Sequence, residues 1–292
     1  MQIRNIGVAS PGDMGQAIAA CLKECGLNVH TALDGRSERT KTLAREAGLT
    51  DCGSMEKLVA TCDMVLSVLN PGAAVDKARE VAAAIRKTGR KIALADCNAV
   101  SPQAVREIDG IIREAGGVFI DAGIIGGPPR GAAKTKIYVS GPDAYLFTQF
   151  NHPRLVVRVI SERVGDASSV KMCYGAITKG AVALGVELLV AARRLGVEQT
   201  LEAEFKESLG SVYDWILSRV PPMPPKAYRW VPEMQEIART FEGVGMTPRI
   251  MEGVTEMYEM IAAAPIGKES PEQARARKRD GTQVVEAIAD GK

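Results

Sequence analysis

Two stretches of the sequence carry residues whose types and spacing could do chemistry. In KMCYGAITKG, residues 171–180, Lys171, Gly175 and Lys179 fall on one face at helical spacing, with Tyr174 and Thr178 beside them. Lys171 opens an otherwise apolar helix, where partial burial would disfavour the charged amine and suit it to proton transfer. A lysine snorkelling at a helix start is the competing reading. Lys179 could hold an anionic group or depress the basicity of Lys171. In VASPGDMGQAIAACL, residues 8–22, the glycine positions of a G-x-G-x-x-G turn fall on Ser10, Gly12 and Gly15, so the first is a serine.

The surroundings of the second stretch make a nucleotide site of it. A strand precedes it and a helix follows, so Ser10, Pro11, Gly12, Asp13 and Met14 form a turn whose backbone N–H groups favour phosphate. Asp34 ends the next strand at about the twenty-residue spacing where an acid takes ribose hydroxyls. Directly after it, Arg36, Ser37 and Arg39 supply donors suited to a 2′-phosphate. The acid and the arginines pull in opposite directions; the balance favours NADP, with NAD possible. Later strand ends place Leu69, Asn70, Pro71, Asn98 and Ser101 at the carboxyl edge, where ligands of open α/β sheets lie. Gly126 and Gly127 stand in the glycine- and proline-rich loop that follows the next strand. Each of these taken alone is a turn more often than a site.

The elements that must position these residues follow from periodicity. From residue 1 to about 160, seven β-branched runs (IRNIGVA, NVHTAL, MVLSVL, KIALADC, VFIDAG, KIYVS and LVVRVI) alternate with helical patterns. That is a βαβ signature, so residues 1–164 are expected to form a doubly wound, mostly parallel Rossmann-type sheet. Residues 165–292 carry long helical patterns and no convincing strand, which predicts an all-helical second domain for substrate and dimerisation. The stretch LEAEFKESLGSVYDWILSRV reads as one helix. VPPMPPKAYRW reads as an ordered turn rather than helix, fixing Lys226 and Arg229 where they could reach a substrate carboxylate. The polar C-terminal tail reads as ending in a weak helix and is expected to be mobile at its end.

Composition narrows the function classes. A net charge of +2 with 25% charged residues gives no basic field for nucleic acid or an anionic membrane. Apolar runs such as 181–192 fall short of a membrane span, and the N-terminus enters a strand pattern without a signal peptide, so a soluble, cytoplasmic protein is expected. Six scattered cysteines are read as reduced and mostly buried, and no Cys/His/Asp spacing suggests a metal. The apolar helix containing AITKGAVALGVELLVAA, with small residues along one face, predicts packing against a partner subunit in a homodimer.

GDMG, ADCNAVSPQAV, FIDAGIIGGPPRGA and GDASSVKMCYGAITKG resemble, in order and spacing, the cofactor, substrate, glycine-loop and catalytic-helix motifs of the β-hydroxyacid and 6-phosphogluconate dehydrogenases. The resemblance covers about the first 200 residues, and the tail resembles the smaller C-terminal domain of a poorly characterised branch. It implies that Lys171 is the catalytic acid/base and that Asn98 orients the substrate. It also marks departures: Gly175, Tyr174 and Thr178 replace an asparagine, a histidine and a glutamate, and Ile125 replaces the loop serine that binds carboxylate. These argue against 6-phosphogluconate itself. The expectation is an NADP-preferring oxidoreductase of a small, anionic hydroxy acid or 3-hydroxy compound. An imine reductase and a catalytically silent dinucleotide-binding protein remain as alternatives.

Overall fold

The computed structural model describes residues 2–291. The chain divides into two compact units, Met1–Met172 and Cys173–Lys292. In the first unit the elements run β1 (Asn5–Val8), α1 (Asp13–Glu24), β2 (Asn28–Thr31), α2 (Glu38–Glu46), β3 (Thr50–Asp51), α3 (Met55–Thr61), β4 (Met64–Ser67), α4 (Ala74–Thr88) and β5 (Ala93–Asp96). Then follow α5 (Pro102–Glu114), β6 (Val118–Ile125), β7 (Thr135–Ser140) and β8 (Leu155–Ser161). The 8-stranded sheet has the order β3-β2-β1-β4-β5-β6-β7-β8. Only the β6–β7 pair is antiparallel. This is the mostly parallel, doubly wound architecture expected from the alternation of strands and helices. The two-residue β3 is an addition, too short to show a period.

Strand alternation divides the core between the two faces of the sheet. Ile6, Val8, Met64, Leu66, Ala93 and Ala95 face α1 through Ile18 and Leu22. Val65 and Leu94 face the opposite layer with Leu58, Val81 and Ile108. Because β1 lies between β2 and β4, the chain leaves it in opposite senses, and a crevice opens at the carboxyl ends of these strands.

The second unit is helical throughout its described residues. A helix α6 (Asp166–Leu195) enters it, followed by α7 (Glu198–Ser208), α8 (Gly210–Arg219), α9 (Ala227–Glu242), α10 (Arg249–Ala263), α11 (Pro271–Arg277) and α12 (Gly281–Ala289). The stretch read as one helix is broken at Leu209, where Gly210 restarts it as α8. The proline-rich turn is shorter than expected. Pro224–Lys226 form a single 3₁₀ turn and α9 begins at Ala227, so Arg229 and Trp230 are helical; prolines at a helix entry cost no donor the first turn would use. The tail contains its last helix, with a shorter one before it. Capping boxes at Ser270 and Asp280 start α11 and α12, and α12 buries Val284, Val285 and Ile288.

Small residues of α6 admit neighbours within this unit. A Cβ on Gly185 would come within 2.6 Å of Ile216, and one on Gly180 within 3.2 Å of Met251. Gly180 and Gly185 thus admit side chains of the same unit. What α6 leaves outward is a different row, with Ile177 64% and Leu184 59% exposed. By length and composition alone α6 could cross a membrane, but half of its most apolar window is buried inside the protein, as in a core helix. All six cysteines are free, though only Cys21, Cys62 and Cys97 are buried, and Cys173 on α6 is exposed.

Two acids stand side by side in the sheet, Asp96 on β5 in register with Asp121 on β6. Burial pushes the Asp96 carboxyl up to about 7, and the neighbouring Asp121 charge adds to the rise. In an unfolded chain the same carboxyl ionises near 3.9, so folding takes up a proton between about pH 4 and pH 7. The stability this group contributes is complete below about pH 4 and is lost as pH rises through 7. Denaturant midpoints measured from pH 5 to pH 8 should fall with pH in the native protein and fall less in Asp96→Asn. An unchanged slope in the variant would show that Asp96 titrates as an ordinary surface carboxylate.

Candidate active site

The nucleotide turn is built as the glycine spacing requires. Gly12 N–H donates to the Ser10 carbonyl at 2.8 Å to close the turn, and Ser10 does not adopt a left-handed backbone, which is why a serine serves there. A Cβ on Gly15 would lie 2.6 Å from the Ser10 carbonyl oxygen, so only glycine lets α1 pack this closely on the strand end. Gly12 is the N-cap of α1, without a side-chain cap, and a Cβ there would meet nothing within 4 Å. Uncapped N–H groups beneath open space fit a dinucleotide phosphate.

Beyond the turn lies a cavity of about 310 Å³ lined by Asp34, Gly35, Arg36, Gly53, Lys77 and Glu80 among others. Asp34 and Arg36 are thus brought together. Arg36 is steadied by donating to the Ala9 carbonyl at 2.9 Å. Ser37 is spent differently, its hydroxyl capping α2 by accepting from Thr40 N–H at 3.3 Å. Arg39 is exposed and does not line the cavity. Lys77, paired with Glu80, lines it from α4; a lysine on an ordinary helix face carries no sequence mark of such a place.

Asn98 joins two strand ends. Its amide nitrogen donates to Ser67 Oγ at 2.9 Å and to Asp96 Oδ1 at 2.6 Å, and its oxygen accepts from Leu69 N–H at 2.6 Å. Both amide hydrogens are therefore used within the protein. Asn98 holds the loop of Leu69, Asn70 and Pro71, where the Asn70 side chain accepts from Gly72 N–H at 3.1 Å and Pro71 opens a 3₁₀ turn.

Lys171 sits in the second turn of α6, and that turn is tied to β6. Asp121, fully buried, accepts from Ser140 Oγ (2.9 Å), Gly165 N–H (3.0 Å), Ser168 N–H (3.1 Å) and Ser168 Oγ (2.6 Å). The Ser140 hydroxyl in turn accepts from Ala167 N–H at 3.0 Å. Orphan N–H groups at the start of α6 are thus capped from the sheet rather than from their own chain neighbours. Gly123, between Asp121 and Ile125 on β6, makes the approach possible, since a Cβ there would fall 2.6 Å from the Ala167 carbonyl oxygen. The half-buried Lys171 amine then donates to the Ile124 carbonyl. Gly126, in the left-handed region at φ 122°, turns the chain out of β6, and the Gly127 carbonyl accepts from Thr135 Oγ1.

In the helical unit the predicted residues fare unequally. Lys179 forms a largely buried ion pair with Glu233 at 2.9 Å, with the Trp230 ring 5.5 Å from its amine. Glu233, one turn past Arg229 in α9, lies also 3.5 Å from where a Cβ on Gly175 would be. The Thr178 hydroxyl is turned back onto its own helix, donating to the Tyr174 carbonyl at 2.9 Å. Tyr174 and Arg229 are exposed, and Lys226 is half-buried. Among the described residues, no group of three or more His, Cys, Asp or Glu side chains could hold a metal.

The chain is 28% identical over 257 residues to an uncharacterized 28.5 kDa protein of Methanothermus fervidus, covering 88% of this chain and 98% of that one. It is 30% identical over 202 residues to L-threonate dehydrogenase of Cupriavidus necator, covering 67% of each. A solved conserved protein of unknown function, described as structurally similar to 3-hydroxyacid dehydrogenases, superposes with a TM-score of 0.67 at 31% identity, covering 91% of this chain and all (100%) of that one. The Mycobacterium tuberculosis 3-hydroxyisobutyrate dehydrogenase, solved with L-serine, shares the fold with a TM-score of 0.69 at 17% identity, over 96% of this chain and 100% of that one. Residues 192–261 match a domain of unknown function (DUF1932). Residues 5–154 match the NAD binding domain of 6-phosphogluconate dehydrogenase, and the chain belongs to that family of NAD-binding, 3-hydroxyacid dehydrogenase-like proteins.

Proposed function

We propose that the protein is a cytoplasmic, NADP-preferring oxidoreductase acting on a small anionic hydroxy acid or 3-hydroxy compound, with Lys171 as its acid/base. The observation that carries this reading is the anchoring of the Lys171 amine at the Ile124 carbonyl by a helix start clamped to β6. Such anchoring fixes an amine in place, which proton transfer requires and a snorkelling lysine lacks. The cofactor supplies hydride exchange with the substrate carbon. Lys171 takes the hydroxyl proton on oxidation and returns it on reduction. The turn from Ser10 through Pro11 to Gly12 would bring the pyrophosphate to the backbone N–H groups of Asp13 and Met14 at the start of α1, and Asn98, through Leu69, steadies the neighbouring loop. Gly126 and Gly127, with Tyr174, Thr178, Lys179, Lys226 and Arg229, are proposed for the substrate. Six free cysteines suit a reducing cytoplasm.

NADP preference rests on Arg36, which lines the cavity beside Asp34. Arg36→Ala should weaken NADPH binding by about tenfold or more while leaving NADH nearly unchanged, and Arg39→Ala should do less, as measured by fluorescence titration. Equal weakening of both cofactors by Arg36→Ala would refute the preference.

Lys171→Ala should bind NADPH nearly as the native protein does and lose roughly 10² to 10⁴ in turnover on whichever compound of a hydroxy-acid and cyclic-imine panel is a substrate. Lys179→Ala alone would strand the buried Glu233 charge, so Lys179→Met with Glu233→Gln is the clean comparison. That pair should raise KM and spare kcat. Full turnover in Lys171→Ala, with turnover abolished in the Lys179 and Glu233 pair, would move the proton donor along the helix.

The exposed row on α6 continues onto α10, where Ile250 is 67% exposed, and frames a cavity of about 570 Å³ with Cys173, Gly180 and Met257. Such a patch suits a second copy of the chain. Light scattering should give a dimer, and Leu184→Glu should dissociate it; a native monomer at micromolar concentration would refute the assembly.

A further inference from the structure

We infer that Arg130, brought by the loop after β6 to the first turn of α1, is a residue of the dinucleotide site that neutralises Asp13 and offers its remaining donors to the cofactor pyrophosphate. The inference rests on the cofactor reading above and adds a residue to it. Asp13 is the first residue of α1, so its carboxylate stands in the turn that must receive a phosphate. An acid there suits the helix dipole but repels the ligand. Arg130 answers it with one nitrogen, Nη2 donating to Asp13 Oδ1 at 2.8 Å and to the Asp13 carbonyl at 3.1 Å. Its Nε and Nη1 make no hydrogen bond or ion pair among the described residues, and the side chain is about half exposed at 49%. A guanidinium has five donors, and two parallel ones match a phosphate edge.

The loop is built to hold Arg130 there. Pro129 is buried and its carbonyl accepts from Cys21 Sγ of α1 at 3.8 Å. Arg130 N–H donates to the Pro128 carbonyl at 2.9 Å, Ala133 N–H to the Arg130 carbonyl at 3.0 Å, and Gly131 supplies a left-handed turn at φ 55°. The loop therefore meets α1 at Cys21 and again at Asp13, two turns apart. An exposed pair such as Arg130 with Asp13 contributes little to stability, so its placement at the open, uncapped end of α1 needs another account, and anion binding gives one.

Arg130 would act on the pyrophosphate, common to both cofactors, whereas Arg36 would meet the 2′-phosphate that only one carries. Fluorescence titration of the full chain with NADPH and NADH separates them. Arg130→Ala should weaken both cofactors by about tenfold with their ratio unchanged, Arg130→Lys should lose less, and Asp13→Asn with Arg130→Ala should recover part of the loss because the repelling charge is gone. Unchanged affinity for both cofactors in Arg130→Ala, a loss confined to NADPH, or no recovery in the double variant overturns the inference. Failure of the native protein to bind either cofactor overturns the dinucleotide reading itself, a result distinct from a native protein that binds and an Arg130→Ala variant that binds equally well.

Discussion

One buried carboxylate holds the catalytic candidate to the sheet. Asp121 gathers four donors from Ser140, Gly165 and Ser168, and every one of them belongs to the sheet or to the start of α6. Desolvation alone pushes its carboxyl up, while these donors favour the charged form and partly offset that cost. Replacing it by an apolar residue would leave the N–H groups of Gly165 and Ser168 buried without an acceptor, which is costlier than losing one hydrogen bond. Gly123 is the complementary constraint, because a carboxylate can cap a helix from a neighbouring strand only if the two backbones can meet. Lys171 inherits its position from both.

The same logic governs the carboxyl edge of β4 and β5. Asn98 bridges Asp96, Ser67 and Leu69, and so fixes one strand end against the next. With its amide hydrogens committed to Ser67 and Asp96, Asn98 acts in the fold through the loop it holds at Leu69. Burial lifts the Asp96 carboxyl above the ordinary range and the in-register Asp121 charge adds to the rise, while the Asn98 donor partly offsets it. Two acids on adjacent strands are tolerated because each is turned to a different set of donors.

Much of this was legible in the sequence wherever the signal was local. The seven strong strands, their alternation with helices and the long α6 repeat at period 2 or 3.6 over enough residues to be read, and the nucleotide turn is marked by the spacing of Gly12 and Gly15. Elements too short to show a period escaped, as β3 did. The break at Leu209 escaped because apolar residues stand at helical spacing on both sides of it, and the start of α9 escaped because prolines were read as excluding helix when they also open one. The small residues of α6 were correctly seen as a packing face, but sequence cannot say whether the partner is another chain or α8 and α10 of the same one.

Pairings across long separations left no local trace, and they change what the candidate residues can do. Lys179 reads in sequence as a cation awaiting an anion, yet Glu233, 54 residues away in the chain, already stands 2.9 Å from it. A buried ammonium with a carboxylate partner can recognise a second anion only by sharing its remaining hydrogens or by parting from Glu233, and parting would leave a charge buried without compensation. Sharing is the cheaper route, since an ammonium carries three donors. Lys179 is thus better suited to orienting a polar group than to balancing a full negative charge. Within the helical unit Arg229 is the contrasting case: set on the first turn of α9 by the prolines before it, it is exposed, and its guanidinium keeps the fork geometry that suits a carboxylate.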